Sequence, residues 1–245
     1  VYLQVRPSVH IDAVQVDTPK VSAAEATVSS TVFLDANEPG KFRVELKVLD
    51  GQGATVATAG GEITAQKNKS SHEFPLPKIQ NPELWSPDNP SLYSLEVTLQ
   101  DPAGSVLHTT SETFGLRWFE FAQDGAFMLN GQRLLLRGTH RHEEHAAYGA
   151  AMPDELHVRD MEMIKEMGAN FVRLGHYPQD PSVYWMADRL GLILWDELPW
   201  CRGGLGGEEW KRNTESMLRE MITQNRNHPS VFFWSLGNEI YWLPD

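Results

Sequence analysis

The residues that could do chemistry stand at the ends of four apolar runs. Carboxyl, imidazole, guanidinium and amide groups follow the runs directly, and side chains of these types transfer protons and bind polar ligands. An acidic residue there could instead cap the next helix, and a single histidine could be structural. Because all four runs end in the same way, we favour the interpretation that they form one site. The residues are Arg141, His142 and Glu143; His176 and Tyr177; Asp196 and Glu197; and Asn238 and Glu239.

The segment HRHEEH (residues 140–145) offers an alternative interpretation as a metal site. Zinc binds histidine and carboxylate ligands, and four of the nine histidines lie between residues 140 and 157. However, the segment lacks the H-E-x-x-H spacing of zinc proteases, and its alternating histidines leave a predicted strand for a loop. They need not converge, so we predict no metal here.

Alternating strands and helices must position these residues in the second half of the chain. Near-continuous apolar strands are predicted at residues 134–138, 171–178, 192–197 and 231–239, with helical stretches between them. This order is typical of a parallel sheet covered by helices, either a (β/α) barrel or a doubly wound sheet. No glycine-rich phosphate loop follows the first strand, which disfavours nucleotide binding. In a barrel the four strand ends would share the active-site face.

Periodicity and stop signals locate the intervening helices. In the first helix Met161, Ile164 and Met167 fall on one face, and Gly168 supplies a stop at its C-terminal end. Gly191 is predicted to end the second helix, because glycine readily adopts the left-handed conformation that closes a helix. The third helix is predicted to run through residues 208–226.

The first 113 residues show the two-residue period of β-strands. In FRVELKV (residues 42–48) and YSLEVTLQ (residues 93–100) apolar and polar residues alternate, which is typical of antiparallel strands with one face in a core. Turn sequences such as DGQG and DPAG separate the strands. We predict an immunoglobulin-like β-sandwich over residues 1–113 and an α/β domain over residues 114–245.

Composition excludes some classes of partner. The chain of 245 residues carries 33 acidic and 21 basic residues, for a net charge of −12. Nucleic acids and anionic membranes attract positive surfaces, so we predict neither as a partner. No stretch approaches the ~20 apolar residues that span a bilayer. Cys201 is the only cysteine, so the sequence indicates neither a disulfide nor a compartment.

The sequence resembles the family 2 glycoside hydrolases, which include β-galactosidases, β-glucuronidases and β-mannosidases. The resemblance covers most of residues 80–239 and implies that the α/β part is the first four β/α units of a TIM-type (β/α)8 barrel. The motifs RHEEH and GHYP are closest to the β-galactosidase branch, and the other two branches stay open. The segments that carry the resemblance are LWSPDNPSLYSLEV, FMLNGQRLLLRGTHRHEEH, GANFVRLGHYPQDPSVYWMADRLGLILWDE and NRNHPSVFFWSLGNE.

The resemblance implies a retaining exo-β-glycosidase and assigns roles to six residues. Such an enzyme needs one carboxylic acid to protonate the leaving oxygen and a second carboxylate, about 5–5.5 Å away, to attack the anomeric carbon. By position, Glu239 would be the general acid/base. Arg173 would orient the nucleophile. The remaining four, Asn238, His176, His142 and Arg141, would bind the sugar, with Asn238 on its 2-hydroxyl.

Departures from the family pattern limit these expectations. The family nucleophile comes from the seventh strand, so we expect this chain to lack it and to be inactive alone. Glu197 matches a family position of supporting role. LPWCRGG (residues 198–204) replaces the stretch that holds magnesium in some family galactosidases, so we expect no metal and no other cofactor. His140 stands where the family usually has asparagine.

Two further expectations concern partners. VYLQVRPSVHI at the start resembles the family's passage from a preceding sugar-binding domain, so we expect N-terminal and C-terminal parts beyond this chain. A four-strand half barrel would leave two open sheet edges, which favours a homo-oligomer. The alternative to a β-galactoside hydrolase, besides the other two family activities, is a non-catalytic carbohydrate-binding protein.

Overall fold

The computed structural model describes residues 3–240. The chain divides into two compact units, one formed by Val1–Leu84 with Ser91–Trp118 and the other by Trp85–Pro90 with Phe119–Asp245. The first unit is all β, and the second combines strands with helices. No helix in the described range is both long and apolar enough to cross a membrane.

The first unit is built from two antiparallel sheets. One sheet has the order β1-β2-β5, with β6 also paired to β2, and the other has the order β4-β3-β7-β8. The strands are β1 (Val9–Val21), β2 (Glu25–Ala36), β3 (Gly40–Leu49), β4 (Thr55–Ala65), β5 (Asn68–Pro75), β6 (Ile79–Gln80), β7 (Tyr93–Gln100) and β8 (Val106–Phe114).

Alternating side chains hold these two sheets together. Every second residue of β2 and β7 is buried, and Leu46 of β3 and Val97 of β7 are fully enclosed. One continuous apolar cluster contains residues from both sheets, such as Val32 and Leu34 of β2 with Val44 of β3. The period-two pattern therefore gives the two-sheet sandwich that the sequence predicts.

The second unit contains a four-stranded parallel sheet. Its order β12-β13-β14-β15 follows the chain, with one helix in each of the three connections. This is the first part of a (β/α) barrel, as predicted. The unit consists of β9 (Phe119–Phe121), β10 (Phe127–Leu129), β11 (Gln132–Arg133), β12 (Gly138–Arg141), α1 (Asp154–Glu166), β13 (Phe171–Leu174), α2 (Pro181–Leu190), β14 (Ile193–Glu197), α3 (Glu208–Asn225) and β15 (Val231–Ser235).

The helices bury an apolar layer against this sheet. Met161 of α1 and Tyr184 of α2 belong to the same buried cluster as Val172 and Leu194 of the strands. Gly191 ends α2 in the left-handed conformation, with φ of 67°, as predicted. α1 ends at Glu166, and Gly168 follows in the left-handed conformation with φ of 88°, as predicted, while the Met167 side chain is exposed beyond the helix.

The first barrel strand also differs from its prediction. The run at residues 134–138 is mostly not strand, and Leu135 within it is exposed. Pairing with β13 begins at Gly138, opposite Phe171, and extends to Arg141, opposite Leu174. The apolar run thus leads into the strand, whose position is determined by hydrogen bonding to β13.

Aromatic side chains gather near the start of β15. β9, β10 and β11 form a small antiparallel sheet, and Phe119 and Phe127 contact Phe232 and Phe233 of β15 with ring centroids 5.1–6.0 Å apart. This packing fixes the start of β15, whereas the polar residues follow its other end.

Candidate active site

Glu197, the last residue of β14, is the centre of the strand-end cluster. Its side chain is fully buried. Arg173 of β13 donates to both carboxylate oxygens, from Nε and Nη2, over 2.8–3.1 Å. His176 Nδ1 lies 2.6 Å from Oε1. Burial raises the pKa of Glu197, but the hydrogen bonds from Arg173 and His176 lower it, and the net result is a pKa below the usual range. Glu197 is therefore an ionised carboxylate that holds Arg173 and His176 in place.

These contacts fix the ring of His176. Because a carboxylate can only accept hydrogen bonds, Nδ1 of His176 carries the proton that bonds to Glu197. Arg173 Nη2, 3.3 Å from the same Nδ1, is then a neighbour and not a hydrogen-bond partner of it. The peptide bond between Gly175 and His176 is cis. The ring is held in one tautomer at the end of β13.

Asn238 joins the cluster from the end of β15. Its Oδ1 accepts a hydrogen bond of 2.8 Å from Arg173 Nη2, and its Nδ2 lies 3.3 Å from Cys201 Sγ. Arg173 thus links the ends of β13, β14 and β15 through Glu197 and Asn238. The side-chain amide of Asn238 is oriented at both of its ends.

Glu239 follows Asn238 and is the more accessible carboxylate. One third of its side chain is exposed, and its Oε2 accepts a hydrogen bond of 2.6 Å from Arg202 Nε. Glu239 adopts a left-handed backbone with φ of 51°. The site therefore combines a buried, ionised Glu197 with a Glu239 that a ligand can reach.

His142 lies beside the cluster, after the end of β12. Its exposed ring makes edge contacts with His176, at a centroid distance of 5.1 Å, and with Tyr177, at 6.4 Å. His140 makes a further edge contact with His142, at a centroid distance of 5.7 Å. In the described part of the chain, no three His, Cys, Asp or Glu side chains are arranged to hold a metal ion.

Arg141, predicted to line the pocket, is not brought together with these residues. Its side chain is 5% exposed. Nε and Nη2 donate to Asp160 over 3.1 and 2.8 Å, and Nη1 donates to Gln179 over 2.6 Å. Nη2 is also 2.9 Å from Nδ1 of His157. The guanidinium is thus occupied by Asp160 and His157 of α1 and by Gln179, because the last residue of β12 faces the helix layer.

Asp196 has the opposite environment to its neighbour Glu197. It is fully buried and accepts hydrogen bonds from Tyr184 Oη and Asn225 Nδ2. Burial raises the pKa of Asp196 to about 6, and these neutral donors offset the rise only in part. Burial and Asp196 also raise the pKa of Tyr184. Asp196 therefore belongs to the layer between the sheet and its helices.

Sequence reasoning missed the segment Trp200–Arg202, which lies beside Asn238 and Glu239. Arg202 binds Glu239, and Cys201 contacts the amide of Asn238. Of this segment, only Cys201 stands at a position where the resemblance places a metal ligand of some relatives, and no motif marks Trp200 or Arg202. Their role depends on a loop conformation that has no sequence signature.

Comparison with known proteins identifies the family of both units. The model described as "Glycosyl hydrolases family 2" matches residues 9–117, and "Glycosyl hydrolases family 2, TIM barrel domain" matches residues 121–243. The two matches define a chain of the class that joins a sandwich domain to a TIM-barrel domain. The chain belongs to the glycosyl hydrolases of family 2.

Three relatives illustrate the range of activities. A protein of Formosa agariphila, provisionally named a beta-glucuronidase, is 53% identical over 100% of the chain, which covers 29% of that protein. A beta-galactosidase of Thermoanaerobacter pseudethanolicus is 32% identical, with 96% and 31% covered. Beta-glucuronidase 2 of Bacteroides uniformis, covalently bound to cyclophellitol-6-carboxylate aziridine, is 34% identical with a TM-score of 0.90, and 96% and 29% are covered. The chain thus spans about a third or less of these relatives.

Proposed function

We propose that the protein carrying this chain is a retaining exo-β-glycosidase with Glu239 as its general acid/base. The observation that carries the proposal is the pair Asn238–Glu239 at the end of β15, tied by Asn238 to Arg173 and Glu197. In a family whose chemistry is glycoside hydrolysis, an accessible carboxyl at the carboxyl end of a barrel strand suits a proton donor.

In the first step the carboxylic acid of Glu239 gives its proton to the glycosidic oxygen as the bond from that oxygen to the anomeric carbon breaks. A second carboxylate, about 5–5.5 Å away, attacks the anomeric carbon and forms a glycosyl–enzyme bond. Glu239, now ionised, removes a proton from water, which displaces the enzyme carboxylate. The oriented amide of Asn238 binds the 2-hydroxyl, and the rings of His176 and His142 bind other hydroxyls.

Glu197 is unsuited to be the nucleophile. Its side chain is fully buried, and its two oxygens are engaged by Arg173 and His176. A nucleophile must reach the anomeric carbon, so we assign Glu197 to holding its partners and expect the nucleophile on a later barrel strand. Arg173, which already links three strand ends, would orient that nucleophile. Under this proposal residues 1–245 do not hydrolyse glycosides by themselves.

Of the three sugars that the family activities offer, two are each favoured by an observation. The motifs RHEEH and GHYP favour a β-galactoside by resemblance. The relative that is 53% identical over the whole chain is provisionally named a beta-glucuronidase, and this favours a β-glucuronide. Because the second observation extends over all residues of the chain, we place the β-glucuronide first and the β-galactoside second.

Glu239→Gln tests the proposal in the full-length natural protein that contains this chain. With 4-nitrophenyl β-glucuronide, β-galactoside and β-mannoside, we expect turnover of one sugar and a decrease of about 10²–10⁴-fold in the variant, because general acid–base catalysis contributes that much. NMR should show the β-anomer as the first product. Turnover is measured by release of nitrophenol.

The matched control is Glu209→Gln, which removes an exposed carboxylate at the start of α3 and should keep the wild-type rate. A Glu239→Gln variant with the wild-type rate would end the assignment of Glu239. Binding of the sugars by the wild-type protein without any turnover would instead identify a non-catalytic carbohydrate-binding protein.

A further inference from the structure

The loop after β14 runs beside the residues that follow β15. Asn238 N donates to Trp200 O over 2.8 Å, and Arg202 N donates to Asn238 O over 3.1 Å. Cys201 and Asn238 thereby form a short parallel bridge beyond the last regular pair of β14 and β15, which is Glu197 with Ser235. Both the N–H and the carbonyl group of Asn238 are therefore hydrogen-bonded to the Trp200–Arg202 segment.

The same segment reaches the carboxylate of Glu239. Arg202 Nε donates to Glu239 Oε2 over 2.6 Å, although the Arg202 side chain is 68% exposed. Both residues adopt left-handed backbones, with φ of 54° for Arg202 and 51° for Glu239. Residues other than glycine rarely adopt this backbone conformation, and such strain is concentrated at functional sites. Exposed ion pairs contribute little to stability, so stability does not account for this one.

We propose that Arg202 is a positioning residue for the general acid/base, an inference that rests on the proposed role of Glu239. Because Nε–H of Arg202 occupies Oε2, the proton of the neutral carboxylic acid resides on Oε1. The O–H bond at Oε1 breaks as the new bond from hydrogen to the glycosidic oxygen forms. The negative charge that develops on the carboxylate is shared by Oε2, where Arg202 already donates a charged hydrogen bond.

This role predicts a dependence on the leaving group. 2,4-Dinitrophenol leaves its glycoside as a stable phenolate anion and needs no proton from the enzyme. 4-Methoxyphenol is a poor leaving group as the anion, so its departure needs a proton. In the full-length natural protein, Arg202→Gln should lower kcat/KM for the 4-methoxyphenyl glycoside by about 10–100-fold. This is less than the roughly 10²–10³-fold loss caused by removing one enclosed, preorganised donor, because the Arg202 side chain is 68% exposed. The same variant should lower kcat/KM for the dinitrophenyl glycoside by less than about 3-fold. A defect in folding or sugar binding would lower both equally.

Two further variants complete the test. Arg202→Lys keeps the positive charge and the ability to donate a hydrogen bond, so it should recover part of the lost activity on the 4-methoxyphenyl glycoside. Arg219→Gln removes an exposed arginine that pairs with Glu215 on α3, and it should leave kcat/KM unchanged for both glycosides. Equal losses on both glycosides, or no loss on either, in Arg202→Gln would overturn the positioning role.

Glu239→Gln, measured with the same two glycosides, separates this inference from the proposed function. If Glu239→Gln shows the leaving-group dependence and Arg202→Gln does not, Glu239 remains the acid and Arg202 does not position it. If Glu239→Gln shows no such dependence, the assignment of the acid itself fails, and the role of Arg202 fails with it.

Discussion

Two carboxyl groups that are neighbours in sequence, Asp196 and Glu197, have opposite protonation behaviour. Both are fully buried. Glu197 accepts from the cation of Arg173, which outweighs burial and keeps the pKa low. Asp196 accepts mainly from neutral groups, so burial dominates and raises the pKa to about 6. The charge of the partners, and not burial alone, decides the protonation of each side chain.

Asp196 makes stability depend on pH in a defined direction. A carboxyl whose folded-state pKa is raised contributes stability that is complete below its unfolded pKa of 3.8 and is lost as pH rises to about 6. We therefore compare the free energies of unfolding of wild type and Asp196→Asn. From pH 4.5 to pH 6.5 the wild type should lose about 2 kcal/mol of stability relative to the variant.

Urea unfolding at several pH values, followed by tryptophan fluorescence, measures this difference. The matched control is Asp154→Asn, since it removes an exposed carboxylate in the first turn of α1. A difference between wild type and Asp196→Asn that stays constant across the pH range would contradict the assigned environment of Asp196.

Some of the site could be predicted from single residues. Asn238, His176 and Arg173 meet around Glu197, and this follows from their place at the ends of parallel strands. Arg141 stands equally close to a strand end, but its side chain belongs to the helix layer. Sequence position identifies the end of a strand and does not determine which way the last side chain points.

At the scale of elements, Gly237 allows the segment after β15 to pack closely against Trp200, and this packing places Asn238 and Glu239 in the site. Its φ is +149°, and a Cβ there would lie 2.7 Å from Trp200 O. We expect Gly237→Ala to push Trp200 away and to disrupt the hydrogen bonds of Asn238, at a cost of about 1–3 kcal/mol in stability and at least about 10-fold in kcat/KM.

Thermal unfolding and steady-state kinetics of the full-length natural protein measure these two effects. The matched control is Gly61→Ala in β4, where a Cβ would meet nothing within 4 Å. If Gly237→Ala matched the control in both stability and activity, close packing of this loop against Trp200 would not matter for the site.

The elements that could be predicted are those whose own pattern determines them. The alternation in β3 and β7 gives both their period and their buried face. The apolar run at residues 134–138 indicated the approach to the barrel correctly, but not the strand itself. β12 is only four residues long, and its register follows from hydrogen bonds to β13, which is distant in sequence.

At the scale of the whole molecule, the parallel sheet has two outer strands, β12 and β15. Unpaired strand edges readily pair with another chain. When residues 1–245 are produced alone, we expect self-association or marginal stability, because nothing in the described part of the chain pairs with these edges.

Light scattering coupled to size-exclusion chromatography would detect the association, and urea unfolding would report stability. The fragment of residues 1–118, which contains the whole first unit with its continuous core, serves as a comparison. A stable monomer of residues 1–245 that unfolds cooperatively would contradict the expectation.

The hydrogen bonds around Glu197, Asn238 and Glu239 have a consequence for biosynthesis. The residues that they join are at most 65 positions apart in the chain, the largest separation being that of Arg173 from Asn238. Domains generally fold in order as they leave the ribosome. The hydrogen-bonded part of the site that contains Glu197, Asn238 and Glu239 can therefore form during translation, as soon as β15 and its following loop emerge.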